Sequence, residues 1–95
     1  MRDTAGDKVI KKVTIRNRAG LHARPISRFV ETASRYEAPL TVRFNGQTVD
    51  GKSIIQLMTL AAGMGSELEL VSEGADAPQL LAALEELVHS GFGEP

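Results

Sequence analysis

The sequence predicts an α+β domain in which helices pack on one face of an antiparallel sheet, with the element order β-α-β-β-α-β-α. Short segments that alternate apolar and polar residues, as strands do, are interspersed with segments that have the apolar spacing of helices. An Asn45-Gly46 pair between two strand-like segments predicts a tight hairpin. The length of 95 residues suits a single core. The element order alone also fits a ferredoxin-like domain with an added helix.

The first strand is predicted at about residues 8–16 and the first helix from just after His22 to about Tyr36. Pro39 prevents this helix from continuing. The inward positions of the strand are Lys11, Val13 and Ile15, of which the lysine fits least well. The apolar stripe of the helix, at i, i+3, i+4 and i+7, consists of Ile26, Phe29, Val30 and Ala33.

Two strands are predicted around the hairpin, at residues 40–44 and 47–49. Ser53 is expected to be the N-cap of a short helix that ends at residues 63–65, which contain two glycines. A fourth strand is predicted at residues 67–71, with Leu68 and Leu70 pointing inward. The residues of the short helix expected to face the core are Leu57, Leu60 and Ala61.

The last helix has the clearest pattern. Asp76 is predicted as its N-cap, Pro78 lies in the first turn, and Gln79 is placed to complete a capping box. Gly91 is expected to end the helix. The apolar stripe consists of Leu80, Leu81, Leu84, Leu87 and Val88.

Composition excludes several classes of function. Charge is balanced, with 11 Lys and Arg against 12 Asp and Glu, so no nucleic-acid or membrane partner is indicated. There is no cysteine, and Asp50, Glu67 and Glu69 lack metal-ligand spacing, so neither a disulfide framework nor a metal site is expected. The polar residues 1–8 lack the apolar run of a signal peptide. A cytoplasmic protein is therefore expected.

The stretch Gly20-Leu21-His22-Ala23-Arg24-Pro25 places a histidine at a helix start, because Pro25 suits a first helical turn. Unpaired N–H groups and the positive end of the helix dipole attract phosphate there and favour a neutral imidazole. Arg24 adds a forked donor for phosphate oxygens. The residues alone leave two interpretations: a histidine that carries a phosphoryl group, or a tolerated cap beside a solvated arginine.

As a string, these six residues resemble the phosphohistidine signature of the HPr family, the small phosphocarriers of the bacterial phosphoenolpyruvate-dependent phosphotransferase system. The resemblance covers roughly residues 8–92. It implies an open-faced β-sandwich with a four-stranded antiparallel sheet and three helices on one face. It further implies a single domain over residues 1–95, in which residues 1–7 form a flexible extension. The expected protein is a monomeric carrier without a cofactor, rather than an enzyme.

By this resemblance, His22 accepts a phosphoryl group at Nδ1 from phosphorylated Enzyme I, and Arg24 stabilises the phosphate. The group then passes to the A component of an Enzyme II, which couples it to sugar uptake. Some relatives have serine or asparagine in place of Ala19, so backbone N–H groups and Arg24 are expected to bind more of the phosphate here. Two alternatives stay open: a nitrogen-type or purely regulatory relative, and an α+β interaction domain without transfer activity.

The segment around Ser53 matches a second family landmark. In many Gram-positive relatives the equivalent serine is phosphorylated by a dedicated kinase, which implies an HPr kinase/phosphorylase and a transcriptional regulator as further partners. The alternative is that Ser53 serves only as an N-cap, a role that serine fills in many helices. A phosphate at this position would meet the positive end of a helix, so both roles are compatible.

The short helix carries more apolar residues than one buried stripe requires, and the excess predicts a docking surface. The alternative is that Ile54 or Met58 belongs to the core. The family resemblance implies that this helix and the start of the first helix form one face for upstream and downstream proteins. The residues expected there are Leu21, Ala23, Pro25, Ile54, Ile55 and Met58.

Two expectations concern the remaining polar groups. His89, late in the last helix, is interpreted as structural, because a histidine there complements the helix dipole. No general acid or base is evident in the sequence as a partner of His22.

Overall fold

The computed structural model describes residues 8–95 and has the predicted element order. The strands are β1 (Lys8–Thr14), β2 (Leu40–Phe44), β3 (Gln47–Asp50) and β4 (Glu67–Glu73). The helices are α1 (Ala23–Ala33), α2 (Ile54–Met58) and α3 (Ala77–His89), and a short 3-10 turn follows at Gly91–Gly93. The flexible extension predicted at residues 1–7 lies outside the described residues.

The four strands form one antiparallel sheet in the order β1-β4-β2-β3. Leu68 and Leu70 of the central strand β4 are fully buried, as predicted, and lie opposite Val13 of β1 and Val42 of β2. The opposite face is open and mostly polar, with an ion pair of 3.2 Å between Arg43 and Glu69, which are register partners on adjacent strands. The predicted α+β open-faced sandwich is therefore confirmed.

Helices α1 and α3 cover the other face and enclose the core. Lys11, the imperfect inward position of β1, is exposed at the edge of this face, and its Nζ lies 3.5 Å from Glu85 of α3. The core residues are Val13, Ile15, Leu21, Ile26, Phe29, Ala33, Ala38, Leu40, Val42, Leu57, Leu60, Ala62, Leu68, Leu70, Ala77, Leu80, Leu81, Leu84, Val88 and Phe92.

Several predicted boundaries are wrong by one to three residues. The first strand ends at Thr14 rather than residue 16, although Ile15 still exchanges backbone bonds with Gly65 and Ser66. Helix α1 ends at Ala33 rather than Tyr36, because the chain tightens into bonds between residues three apart, Arg35 N–H to Thr32 and Tyr36 N–H to Ala33. Strands β3 and β4 extend to Asp50 and Glu73.

The prediction that Ala61 faces the core is wrong. Helix α2 spans only Ile54–Met58 and does not continue to the predicted end at residues 63–65, so helical spacing no longer applies four residues after Leu57. Ala61 adopts a left-handed conformation (φ 53°) and is exposed, while its neighbour Ala62 is buried. Leu57 and Leu60 are buried as expected.

The capping box predicted for α3 is also absent. Asp76 does occupy the N-cap position, but its side chain makes no cap hydrogen bond. Its carboxylate instead accepts hydrogen bonds from the N–H groups of Glu37 at 2.8 Å and Ala38 at 2.9 Å. These bonds lower the pKa of Asp76, the one from Glu37 most strongly. The residue therefore fixes the loop between α1 and β2 rather than its own helix.

Candidate functional site

His22 occupies the N-cap position of α1, directly before the first helical residue Ala23, as predicted. Its backbone is extended (φ −119°, ψ −167°), and its carbonyl oxygen accepts the first helical bond from the N–H of Ile26 at 2.9 Å. The imidazole makes no capping bond, and the side chain is 46 % exposed. The ring is therefore open to a reactant at the start of the helix.

The start of α1 offers hydrogen-bond donors to an anion. The N–H groups of Ala23 and Arg24 lie in the first turn, where the helix has no carbonyl for them, and this turn contains no acidic residue. The Arg24 side chain is exposed on the same turn. A phosphate at His22 would meet these N–H groups, the positive end of the helix dipole and a fixed positive charge.

A carboxylate contacts His22, a partner that was not evident in the sequence. Nε2 of the ring lies 3.1 Å from Oε1 of Glu94, whose side chain is 17 % exposed. The same oxygen accepts a hydrogen bond of 3.0 Å from the amide nitrogen of Asn17. The hydrogen bond to His22 is the main cause of a lowered pKa at Glu94; burial opposes it, and Asn17 adds to it.

Glu94 reaches the site because the chain turns back after α3. Gly91 (φ 73°) ends the helix as predicted, and Phe92, also left-handed (φ 57°), is buried in the core. Arg28 of α1 donates to the carbonyl of Phe92, and the N–H of Arg18 donates to the carbonyl of Pro95 at 2.8 Å. The only sequence signal for this return is an aromatic residue between two glycines, which does not indicate where the following carboxylate lies.

The loop that carries His22 is held by Gly20 and Leu21. Gly20 has φ 76°, and a Cβ there would lie 2.7 Å from the carbonyl oxygen of Ala62 and 2.8 Å from Cα of Gly63. The N–H of Leu21 donates to the same carbonyl at 2.8 Å. Only glycine tolerates this backbone and this approach. The contact joins the start of α1 to the segment that follows α2.

Ser53 is the N-cap of α2, as predicted, and its Oγ accepts from the N–H of Gln56 at 3.2 Å. The side chain of Gln56 reaches back and accepts from the N–H of Asp50 at 2.9 Å. Ser53 is half-buried, in contrast to the exposed His22. Ser53 is therefore a true helix cap.

The apolar excess of α2 is exposed, as predicted: Ile54 is 46 %, Ile55 81 % and Met58 50 % exposed. Met64, 62 % exposed and not predicted, adds to the apolar surface. At the start of α1, Ala23 is exposed, whereas Leu21 and Pro25 are buried. Leu21 belongs to the hydrophobic core and Pro25 is buried in the first turn of α1, so neither side chain is available to a docking partner.

The remaining predicted groups stay apart from the site. His89 lies half-buried in the last turn of α3. Within residues 8–95, no group of three acidic or histidine side chains could hold a metal ion, and no helix is long and apolar enough to cross a bilayer. Ala19 contributes no polar side chain, and the amide of nearby Asn17 is directed to Gly20 at 2.8 Å and to Glu94.

Comparison with known proteins agrees with this geometry. The model of a family described as "PTS HPr component phosphorylation site" matches residues 9–90. The phosphocarrier protein HPr of Treponema pallidum is 45 % identical over 86 residues, covering 90 % of this chain and 98 % of the relative. The HPr-like protein Crh of Halalkalibacterium halodurans is 40 % identical over 76 residues, or 80 % of this chain and 90 % of the relative. A crystal structure of HPr from Thermoanaerobacter tengcongensis superimposes with a TM-score of 0.87 at 37 % identity, covering 92 % and 98 % of the two chains.

Proposed function

The chain belongs to the HPr family, the phosphocarriers of the phosphotransferase system, and from that premise we propose that His22 is its phosphoryl acceptor. His22 receives the group at Nδ1 from phosphorylated Enzyme I and passes it to the A component of an Enzyme II. The observation that carries the proposal is the exposed, uncapped imidazole at the start of α1, beside Arg24.

This geometry suits a protein that binds a phosphoryl group transiently and releases it, rather than one that binds it tightly. A phosphoryl group on imidazole nitrogen is a labile donor, so the site must bind the phosphate well enough to shield it and weakly enough to release it. N–H groups at an open helix start, with one exposed arginine, provide that intermediate binding. Phosphoryl transfer itself depends mainly on positioning and on charge stabilisation, and a transient interface that brings two histidines together supplies the positioning.

The family implies Enzyme I and Enzyme II A components as partners, and we assign their docking to the start of α1 and the exposed part of α2. Ala23, Ile54, Ile55 and Met58 are exposed on these elements. Methionine adapts its shape to different surfaces, which suits a face that serves an upstream and a downstream protein in turn. The protein is proposed to act there as a cytoplasmic monomer with one HPr-type domain.

Ser53 is the proposed regulatory site, as substrate of an HPr kinase/phosphorylase whose product is read by a transcriptional regulator. A phosphate on Ser53 would lie directly before Ile54 and Ile55, and would bring about 1.5–2 negative charges to an apolar face. Because the positive end of α2 faces that position, the fold would survive the modification while docking would weaken.

A purely regulatory role is the second candidate, and the 38 % identity to a solved structure of Crh, described as the catabolite repression HPr of Bacillus subtilis, favours it. Incubation with Enzyme I and phosphoenolpyruvate tests the first candidate: one acid-labile phosphate is expected on the protein, and its transfer to a panel of Enzyme II A components is then measured. Labelling without transfer to any A component would favour regulation. No labelling at all would refute the carrier function.

A further inference from the structure

Asn17, Glu94 and His22 form a connected hydrogen-bonded group that the carrier function alone does not require. Asn17 is fully buried, and both acceptors of its amide nitrogen are in the site: the carbonyl of Gly20 at 2.8 Å and Oε1 of Glu94 at 3.0 Å. Its Oδ1 is buried and has no hydrogen-bond partner within residues 8–95. Turning the amide over would set that oxygen against two other acceptors, so the orientation of Asn17 is determined by Gly20 and Glu94.

The contact between Glu94 and His22 selects one tautomer of the ring. An ionised carboxylate can only accept hydrogen bonds, so the nitrogen 3.1 Å from Oε1 must carry the proton. That nitrogen is Nε2, and in the neutral imidazole the other nitrogen, Nδ1, then holds the free electron pair. The contact also fixes the plane of a ring that is otherwise half exposed to solvent.

We propose that Glu94 is a positioning residue for phosphoryl transfer: held by the buried Asn17, it accepts the Nε2 proton of His22 and so presents Nδ1 as the nucleophile. This inference rests on the proposed role of His22. It assigns a function to residues 91–95, the segment that the return after α3 brings against the loop before α1.

The charge balance of the transfer gives the carboxylate a second effect. The Nδ1 electron pair forms the new N–P bond, while the N–P bond of a donor phosphohistidine breaks and its electron pair returns to the donor ring. His22 retains its Nε2 proton, so the phosphorylated ring carries a positive charge that the donor ring has lost. Glu94 lies beside that charge, as the carboxylate of a Ser-His-Asp triad lies beside its imidazolium. When His22 passes the phosphoryl group on, the N–P bond breaks, its electron pair returns to Nδ1, and the ring beside Glu94 becomes neutral again.

Two variants of Glu94 distinguish a positioning role of its side chain from a structural role of residues 91–95. Both bonds, from His22 and from Asn17, end on Oε1, so Glu94→Gln retains one acceptor for both and loses only the charge. Glu94→Ala removes the acceptor. Glu85→Gln is the matched control, because it removes a carboxylate from an exposed pair with Lys11. Thermal unfolding establishes that each variant is folded.

The ring nitrogen signals of His22 in ¹⁵N NMR, recorded without any partner, report the tautomer directly. We expect the Nε2–H form in the parent, in Glu94→Gln and in Glu85→Gln, and a mixture of both neutral forms in Glu94→Ala. In the transfer reaction from phosphorylated Enzyme I, Glu94→Ala should be slower by about tenfold, the effect typical of losing a group that orients a metal-bound histidine. Glu94→Gln should be faster than Glu94→Ala.

An unchanged tautomer in Glu94→Ala overturns the inference, and so does a transfer rate equal to that of the parent. A rate for Glu94→Gln as low as for Glu94→Ala, with the Nε2–H form retained, would show that charge acts and positioning does not. Failure of the carrier function has a different signature, since the parent itself would then take no phosphate while the tautomer measurement would still report on Glu94.

Discussion

The starts of α1 and α2 are alike in backbone and opposite in the use of their first side chain. His22 and Ser53 are both N-cap residues with extended backbones. Ser53 directs its Oγ to the N–H of Gln56 and so completes its own helix. The side chain of His22 makes no hydrogen bond to α1, and its ring is instead held by Glu94. The difference shows how one structural position serves stability at one site and leaves a reactive group at another.

The largest expected effect tests whether the uncapped start is the reactive one. His22→Ala should abolish acid-labile phosphorylation by Enzyme I and phosphoenolpyruvate, because the nucleophile is removed. His89→Ala should leave it intact, since His89 lies in the last turn of α3. Radiolabel incorporation followed by mild acid treatment measures both. Labelling of His22→Ala would assign the phosphate to another residue.

The second effect tests the loop that holds His22 in place. Gly20→Ala forces a left-handed backbone on alanine and brings its Cβ to 2.7 Å from the carbonyl of Ala62, so the folded state should lose about 2–4 kcal/mol. Denaturant unfolding gives the loss. Gly46→Ala is the control for the backbone alone, because Gly46 has φ 82° but no atom within 4 Å of an added Cβ. Equal losses in both variants would show that the contact with Ala62 is unimportant.

The third effect asks whether Ser53 is more than a cap. Ser53→Ala removes the bond to Gln56 and should cost about 0.5–2 kcal/mol of stability, with little change in the rate at which His22 is phosphorylated. Ser53→Asp retains an acceptor and adds a charge beside Ile54 and Ile55, so it should be stable but slow to accept phosphate. Melting temperatures and phosphoryl-transfer rates of the parent, Ser53→Ala and Ser53→Asp distinguish the capping role from an effect of the added charge. A slow Ser53→Ala beside a normal Ser53→Asp would leave the serine with its capping role alone.

The fourth effect concerns the open turn of α1. Arg24→Ala should change stability by no more than about 0.5 kcal/mol, because the side chain is exposed. Its loss removes one charge-assisted bond to the phosphate, about 1.5 kcal/mol, so transfer should slow by about tenfold. Arg35→Ala, also exposed, is the control. Transfer kinetics unchanged in Arg24→Ala would mean that the backbone N–H groups bind the phosphate unaided.

The parts of the molecule that local rules govern were predictable from the sequence. The hairpin at Asn45-Gly46, the cap at Ser53 and the buried Leu68 and Leu70 follow from turn chemistry, capping and alternation, and the structure has all of them. The position of His22 also follows, because Pro25 and the apolar stripe define where α1 begins.

The parts that depend on distant contacts were not predictable. Glu94 is 72 residues from His22 in the chain, and no local pattern indicates that they meet. Asp76 has the sequence context of a helix cap, yet its carboxylate accepts hydrogen bonds from two N–H groups nearly forty residues away. In both cases a tertiary hydrogen bond prevails over the local one, and only the fold reveals which partner is present.

The smallest expected effect concerns Asp76, a third N-cap residue, whose side chain bonds a distant loop rather than its own helix. Its pKa is lowered from 3.8 by the N–H groups of Glu37 and Ala38, so the folded protein favours the ionised form. The stabilisation is complete above the unfolded pKa and is lost as the pH falls below it, through the still lower folded value.

Asp76→Asn retains one acceptor and cannot ionise. Its stability should therefore fall short of the parent by a constant amount above about pH 5, and the gap should narrow in stronger acid. Denaturant unfolding at a series of pH values measures the gap, and Asp50→Asn controls for general loss of an aspartate. A gap that does not change with pH would show that Asp76 acts as a neutral hydrogen-bond acceptor, like Ser53, rather than through its charge.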